Sequence, residues 1–245
     1  MMNRDRNHLA GGGARVAAGA IALSLCLSGG AARAAEAPKV TPPQPTVPQV
    51  FTLMGQYVRV AYNDVGFATL GYRIAQESVG EEWMLLEVGL TVRAGTKNLT
   101  FKRDSLSVKT PDGSTIGLAT QKDFAEAGYL RGLNNRAKVQ RDPINYFPGE
   151  ANRACAMHFF SDLSNPGPSG RLSYDQVELS PDRGCLGRLF FHVPGGIKVG
   201  QHWLIVNFGG SEVQVPFRIL TKDEQKEFSK TWEDIKKAWE EGTGQ

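Results

Sequence analysis

The stretch WMLLEVGLTV, residues 83–92, decides the fold class of this 245-residue chain. Its even-numbered positions are all apolar, whereas its odd-numbered positions become polar toward the end. A repeat of two residues is typical of a β-strand, because alternate side chains point to opposite faces of a sheet. The stretch therefore predicts a strand with one buried face.

Other short β-prone stretches lie on both sides of this strand. Turn sequences such as Pro111-Asp112-Gly113 and Gly209-Gly210 separate them. The stretches are residues 57–62, 106–108, 115–118, 154–160, 186–193, 202–208 and 213–220. Short strands at regular spacing, with Gly and Pro between them, predict an all-β antiparallel sandwich of about seven to nine strands in residues 51–220.

Two helical segments are expected in addition to the strands. An insertion at about residues 120–150 contains a predicted helix from Thr120 to about Asn134, with Thr120 as its N-cap and Asp123 three positions later. A second helix is predicted in residues 221–245, where Thr221 and Glu224 form a capping box.

The C-terminal helix is predicted to be amphipathic. Large apolar side chains recur at steps of four, three and four residues and line one face of it. They are Phe228, Trp232, Ile235 and Trp239. This stripe packs on the domain's own sheet or docks a partner protein, and the sequence leaves both uses open.

Three features of the strand region are shared with a known class of domain. They are the Trp-containing strand that ends in Leu90-Thr91-Val92, the turn Asp112-Gly113, and the late strand Phe190-Phe191-His192-Val193-Pro194. Together they resemble the immunoglobulin-like domains of unknown function found on bacterial exported proteins, over residues 56–220. The resemblance implies an immunoglobulin-like sandwich that serves as a binding or accessory module.

The N-terminal residues predict export. Residues 1–34 read as a cleavable signal peptide, with Arg4, Arg6 and Arg15 before an apolar run at residues 16–27 and small residues at Ala32 and Ala34. The apolar run is too short to span a bilayer. Residues 35–50 hold five prolines and predict an extended spacer. We therefore expect a periplasmic or extracellular protein with no transmembrane segment after cleavage.

Cysteine usage agrees with export. Cys26 lies in the predicted signal, and two cysteines remain, Cys155 and Cys185. An even pair in an oxidising compartment predicts a disulfide bond. Because the chain has no C-x-x-C motif, a redox pair or a pair of thiol ligands is the less favoured reading.

The charge balance argues against a nucleic-acid partner. The predicted signal carries four of the 28 basic residues and one of the 25 acidic residues, so the remaining chain has 24 of each. A nucleic-acid binder needs a dense basic face that displaces counterions. The sequence also contains no phosphate-binding loop or dinucleotide motif after residue 34, so no cofactor is expected.

A basic cluster in the insertion is the main candidate binding feature. Arginine forks suit carboxylate and phosphate groups, so the cluster is predicted to bind an anionic glycan, a lipid headgroup or an acidic protein, or else to be a solvated loop face. The predicted binding residues of the insertion and of the helix stripe are Arg131, Arg136, Arg141, Tyr146, Phe228, Trp232 and Trp239.

We therefore expect a non-catalytic exported module that binds an unknown protein or glycan. The first alternative is a metal-binding carrier or hydrolase that uses His158, His192 and His202, although these histidines lack the spacing of a metal motif. The second alternative is a purely structural envelope protein. No serine-nucleophile motif is present, so an enzyme is the less favoured class.

Overall fold

The computed structural model describes residues 49–127, 130–159 and 175–242, apart from the side chains at positions 121, 125, 131, 239, 240 and 242. The predicted signal peptide and most of the predicted spacer lie outside the described residues. Val50, which the sequence analysis places in the spacer, instead begins the first strand.

Twelve strands are present in the described part of the chain. In chain order they are β1 (Val50–Gly55), β2 (Val58–Tyr62), β3 (Gly66–Gly71), β4 (Trp83–Val92), β5 (Leu99–Lys102), β6 (Leu106–Lys109), β7 (Thr115–Gly117), β8 (Arg153–Ala156), β9 (Gln176–Leu179), β10 (Arg183–His192), β11 (Gly200–Phe208) and β12 (Ser211–Ile219). Three helices flank the sheets and a fourth follows them: α1 (Arg73–Glu77), α2 (Gln121–Ala127), α3 (Leu130–Val139) and α4 (Lys222–Gly242).

The strands form a sandwich of two main sheets. The first sheet has six strands in the order β1-β2-β3-β4-β10-β8, and the second has four in the order β12-β11-β6-β7. Strands β5 and β9 pair separately. All pairs are antiparallel except β8 with β10, which run parallel. The predicted all-β sandwich with a helical insertion and a C-terminal helix is confirmed.

The largest core lies between the two sheets. The even-numbered side chains of β4 belong to it, and so do alternate side chains of β11 and β12. Burial of this apolar surface is the main driving force for assembly of the sandwich. The alternation along each strand follows from the two-residue repeat of the backbone.

Strand β4 is buried on both faces, so the prediction of a single buried face is wrong. Every residue from Trp83 to Val92 is buried. The outward-facing side chains Trp83 and Leu85 join a second apolar cluster that includes Phe124 of α2 and Leu133 of α3. The insertion therefore covers the outer face of the first sheet, a long-range contact that a local pattern does not reveal.

The sequence predicts a single helix in the insertion, whereas the described residues form two, α2 and α3, on either side of residues 128–129, which lie outside the described residues. Helix α2 begins after Thr120, whose hydroxyl accepts the Asp123 N–H at 3.2 Å, while the Asp123 carboxylate accepts the Thr120 N–H at 2.6 Å. These bonds confirm the predicted N-cap. The helix ends at Ala127, shortly before Gly128, and α3 continues to Val139.

The outer edge of β12 is closed by side chains. The Gln49 amide donates to the Gln214 carbonyl at 2.7 Å and accepts the Gln214 N–H at 2.9 Å. Gln76 makes the same pair of bonds with Leu220, at 2.9 and 2.7 Å. Pro216, which lies between these two positions, has no N–H to offer. An edge closed in this way does not pair with another strand.

The predicted disulfide is confirmed. Cys155 of β8 lies directly opposite Cys185 of β10 and is bonded to it. Because β8 has only four residues, the bond secures a short edge strand to its neighbour β10 in the first sheet. None of the helices in the described part of the chain is long and apolar enough to span a membrane.

Candidate ligand-binding cavity

The segment at residues 141–148, here called the crossing segment, runs without regular secondary structure over the outer face of the first sheet. Glycines on three strands make room for it. A Cβ atom at Gly71 would lie 2.9 Å from Ile144, and one at Gly89 or Gly184 would lie 2.7 Å from the ring of Phe147. Contacts under 3.0 Å require a shift, so the close approach of this segment depends on glycine at these positions.

Two polar contacts fix the start of the crossing segment. Arg73 of α1 donates to both carboxylate oxygens of Asp142, at 2.9 and 2.7 Å. The Thr69 hydroxyl of β3 donates to the Ile144 carbonyl at 2.8 Å. The carboxylate raises the pKa of Arg73, which therefore stays charged. A bidentate arginine–carboxylate pair is among the stronger polar contacts in proteins, so the segment has a defined position.

A cavity of about 540 Å³ lies between the crossing segment, β4, β10 and the residues that follow β8. Its lining combines charged and polar groups with apolar ones. The lining residues are Glu87, Arg141, Asp142, Pro143, Ile144, Asn145, Met157, His158, Leu186, Gly187 and Arg188. The volume is typical of small-molecule sites. Six of the eleven lining residues are charged or polar, so the wall is more polar than that of most such sites.

Glu87 and Arg188 form the inner charged wall of the cavity. They lie directly opposite each other on β4 and β10, with Arg188 Nε 3.5 Å from Glu87 Oε1. Arg188 Nη1 also donates to the Asn134 side chain at 3.2 Å. Burial raises the pKa of Glu87, and the charges of Arg188 and Arg141 oppose that rise. The ion pair is therefore buried but long, and it leaves hydrogen-bonding capacity on both side chains.

Arg141 stands at the exposed rim of the same cavity. It makes no hydrogen bond or ion pair with the residues that the structure describes, whereas its neighbour Asp142 is bound to Arg73. Taken together, the guanidinium groups of Arg73, Arg141 and Arg188 outnumber the carboxylates of Glu87 and Asp142 by one. The described lining itself balances two arginines against two carboxylates. Arg73, which pairs with Asp142 from outside the lining, adds one positive charge beside the cavity, which suits a ligand with a single negative charge.

The sequence-predicted residues of the insertion have different surroundings. Arg141 lines the cavity, as described above. Arg136 donates to Glu81 at 3.0 Å and to the Ser78 hydroxyl at 3.2 Å, so it joins α3 to the start of β4. Tyr146 is half-buried in the crossing segment. The side chain of Arg131 lies outside the described residues. Among the predicted residues of the insertion whose side chains the structure describes, Arg141 alone lines the cavity.

The described hydrogen bonds between α4 and the rest of the domain lie in the first turns of the helix. Gln225 donates to the Tyr57 hydroxyl at 2.9 Å, and Gln56 donates to the Ser229 hydroxyl at 2.5 Å. Phe228 and Trp232 are half-buried, and the side chain of Trp239 lies outside the described residues. The predicted capping box is confirmed, because Glu224 accepts the Thr221 N–H at 2.8 Å.

The three candidate histidines have three separate surroundings. His158 lines the cavity, His192 stacks on Trp83 with ring centres 5.1 Å apart, and His202 stacks on Phe217 in the second sheet. Within the described ranges, no group of three or more His, Cys, Asp or Glu residues is placed to hold a metal ion. Metal binding by these histidines stays a prediction, which metal analysis of the purified protein tests.

A second, smaller cavity of about 210 Å³ lies near the turn at Asp112. The Lys198 ammonium donates to the Asp112 carboxylate at 2.5 Å, and Asp112 also accepts from Thr110. These bonds lower the pKa of Asp112 well below its usual range. Both charged groups of this cavity are therefore already paired within the fold.

Sequence reasoning missed Glu87 and Arg188 as site residues. One signal was present, because Glu87 is the only charged residue in the stretch at residues 83–92. A charged residue within a buried strand is rarely found without a partner. The glycines at positions 71, 89 and 184 were a second signal, since an interior strand glycine often marks a close backbone approach.

The chain was also compared with known proteins. No protein-family model, curated protein or solved structure matches it. The resemblance to immunoglobulin-like domains of exported bacterial proteins therefore stays a prediction.

Proposed function

We propose that this protein is an exported, non-catalytic binding module that holds a small anionic group of its ligand in the cavity beside the crossing segment. The observation that carries the proposal is Arg141, which lies at the rim of a cavity of about 540 Å³ and forms no hydrogen bond or ion pair with the described residues. An arginine without an internal partner is available to form charge-assisted hydrogen bonds with a carboxylate or phosphate.

The surroundings of Arg141 support a site that is already formed before a ligand arrives. Asp142 is fixed by Arg73, and Ile144 is fixed by Thr69, so the residues on the C-terminal side of Arg141 have defined positions. A preorganised site loses less conformational entropy on binding than a loose loop does. The Cys155–Cys185 bond supports the exported part of the proposal, because disulfides persist in oxidising compartments.

Thermal unfolding with small anions tests the proposal. We would measure the Tm of the purified protein with acetate, lactate, inorganic phosphate or N-acetyl-leucine at 10 mM. A ligand of about 12 heavy atoms at roughly 0.3 kcal/mol per atom has a Kd of about 2 mM. At 10 mM, such a ligand stabilises the fold by about 1 kcal/mol, which raises the Tm by roughly 2–4 °C.

The Arg141→Ala variant provides the decisive comparison. We expect at least one of the four anions to raise the Tm of the wild-type protein and to lose that effect in Arg141→Ala. Lys138→Ala removes an exposed cation outside the cavity lining and should keep the full effect. If no anion raises the Tm, or if Arg141→Ala responds as the wild type does, the proposed function is wrong.

A further inference from the structure

The ligand chemistry of the cavity can be read from the arrangement of its charged groups. We propose that the cavity takes an N-acyl amino-acid end, in which a carboxylate meets Arg141 and Arg188 while the adjacent amide N–H donates to Glu87. This inference rests on the proposed function and narrows it to one class of ligand.

The cationic side of the cavity has donors left over. Arg188 uses Nε toward Glu87 and Nη1 toward Asn134, and no contact of its Nη2 is described. Arg141 forms no hydrogen bond with the described residues. Because both arginines line the cavity, their unused N–H groups offer a carboxylate several charge-assisted hydrogen bonds.

Glu87 makes a simple anion an incomplete ligand. Glu87 is 8 % exposed. Its Oε1 atom is 3.5 Å from Arg188 Nε, and no hydrogen bond of Oε2 is described. A bare carboxylate beside Glu87 would leave this acceptor without a donor and would bring two negative charges together. A neighbouring N–H on the ligand removes both costs, because it satisfies the acceptor and separates the charges.

The net charge favours a carboxylate over a phosphate. The cavity with its Arg73 anchor carries a single excess positive charge, so a monoanion neutralises it and a dianion does not. The raised pKa of Glu87 agrees with an acceptor whose ionised form is under-stabilised in the free protein. A hydrogen-bond donor on the ligand supplies part of that missing stabilisation.

Part of the remaining wall is apolar. Ile144, Met157 and Leu186 line the cavity beside the charged groups, and Met157 is fully buried. A methionine adapts to side chains of different shape, so an aliphatic side chain on the ligand has a surface to pack against. Leucine is therefore the amino acid chosen for the probe.

Calorimetric titrations with three matched compounds test the ligand class. N-acetyl-leucine carries the carboxylate and the N–H. N-acetyl-leucinamide lacks the carboxylate, and 4-methylpentanoate lacks the acetamido group and with it the N–H donor. We expect a Kd of about 2 mM for N-acetyl-leucine. Each of the other two compounds should bind at least tenfold more weakly, because each leaves one side of the cavity without a partner.

Variants assign each preference to a residue. In Arg141→Ala, N-acetyl-leucine should lose its advantage over N-acetyl-leucinamide. In Glu87→Gln, which keeps the shape but not the charge, its advantage over 4-methylpentanoate should fall to less than threefold. If Glu87→Gln does not fold, the proposal is decided by the wild-type protein's Kd ratios between N-acetyl-leucine and the other two compounds. Arg153→Ala, which removes an exposed arginine paired with Asp182, is the matched control and should change neither ratio.

A longer compound distinguishes the two natural ligands that could carry an N-acyl amino-acid end. N-acetyl-alanyl-leucine should bind at least as tightly as N-acetyl-leucine if the natural ligand is a peptide C-terminus, and more weakly if it is a free N-acyl amino acid. Either outcome supports the shared chemistry. Equal binding of 4-methylpentanoate and N-acetyl-leucine would overturn the ligand class and leave the proposed function standing. The ligand class would also be wrong, and the proposed function would still stand, if N-acetyl-leucine did not bind while another anion raised the Tm of the wild type but not of Arg141→Ala.

Discussion

Replacing Gly184 with alanine tests how the crossing segment lies on the sheet. A Cβ atom at this position would lie 2.7 Å from two atoms of the Phe147 ring and 3.2 Å from a third. The three nearest atoms all belong to this one side chain, so the clash has a single source. Overpacking of this kind costs about 1–3 kcal/mol of stability.

The Phe147→Ala change removes the clash and therefore reverses the effect of the alanine. Phe147 is half-buried, so its truncation alone should cost about half of the 3–5 kcal/mol typical of a buried phenylalanine. In this background, Gly184→Ala should stabilise the protein by about 0.5–1 kcal/mol, because alanine loses less backbone entropy than glycine when a strand forms. The account thus expects Gly184→Ala to lower the free energy of unfolding in the wild type and to raise it in the Phe147→Ala variant.

Urea unfolding of the four proteins, followed by circular dichroism under non-reducing conditions, measures this coupling. Gly117→Ala is the matched control, since Gly117 also lies in a strand but has nothing within 4 Å of a Cβ atom. It should stabilise the protein by about 0.5–1 kcal/mol, because nothing in the described residues opposes the added methyl group. If Gly184→Ala destabilised the wild type and the Phe147→Ala variant equally, Phe147 would not lie over Gly184.

Three further predictions concern other parts of the fold. Burial lowers the pKa of His202 to about 4 from 6.5, and its Nε2 has no partner among the described residues. Between pH 6.5 and 4, the His202 imidazole binds a proton in the unfolded chain but not in the folded protein. The free energy of unfolding should therefore fall by about 2 kcal/mol from pH 7.5 to 5. Urea unfolding at pH 7.5 and pH 5 measures this loss of stability, and His202→Phe should remove the part that comes from His202. Reduction of the Cys155–Cys185 bond, which closes a loop of 30 residues, should lower the free energy of unfolding by about 3.5 kcal/mol; an unchanged urea midpoint would contradict the role given to this bond. The Thr221 N–H and Arg218 lower the pKa of Glu224 to about 2, so the capping contribution is present above pH 4.5 and is lost as pH falls toward 2. The far-ultraviolet signal of α4 should decline over that range less in Glu224→Gln than in the wild type, and identical acid titrations would count against this cap.

Local patterns were enough to predict several elements of the fold. The bounds of β4 were predicted from its two-residue repeat, and both helix caps were predicted from a Thr followed three positions later by an acid. The Cys155–Cys185 bond followed from cysteine number and predicted compartment. In each case the signal lies within a few neighbouring residues or in a simple count.

Elements whose stability comes from distant contacts were missed. Strands β1 and β3 do not show a clear alternation of apolar and polar residues, because β1 is an exposed edge and β3 is buried on both faces. The outer face of β4 was expected to meet solvent, since nothing local shows that α2, α3 and the crossing segment fold back over it.

The cavity was foreseen only in part. Arg141 was a predicted binding residue because it belongs to a basic cluster in a long insertion. Glu87 and Arg188 are 101 positions apart and meet only because β4 pairs with β10 in one register. That register cannot be read from a single sequence, so only the structure shows that Glu87 and Arg188 meet in the cavity.

The central claim is that ligands bind in the cavity beside the crossing segment, and amide NMR shifts during titration with N-acetyl-leucine test it most directly. The account expects the largest amide shift changes in residues 141–142, 144–145, 157–158 and 186–188, which line the cavity. It also expects these changes to disappear in Arg141→Ala. Shift changes that cluster on α4 around Phe228 and Trp232, or that are unaffected by Arg141→Ala, would contradict the claim.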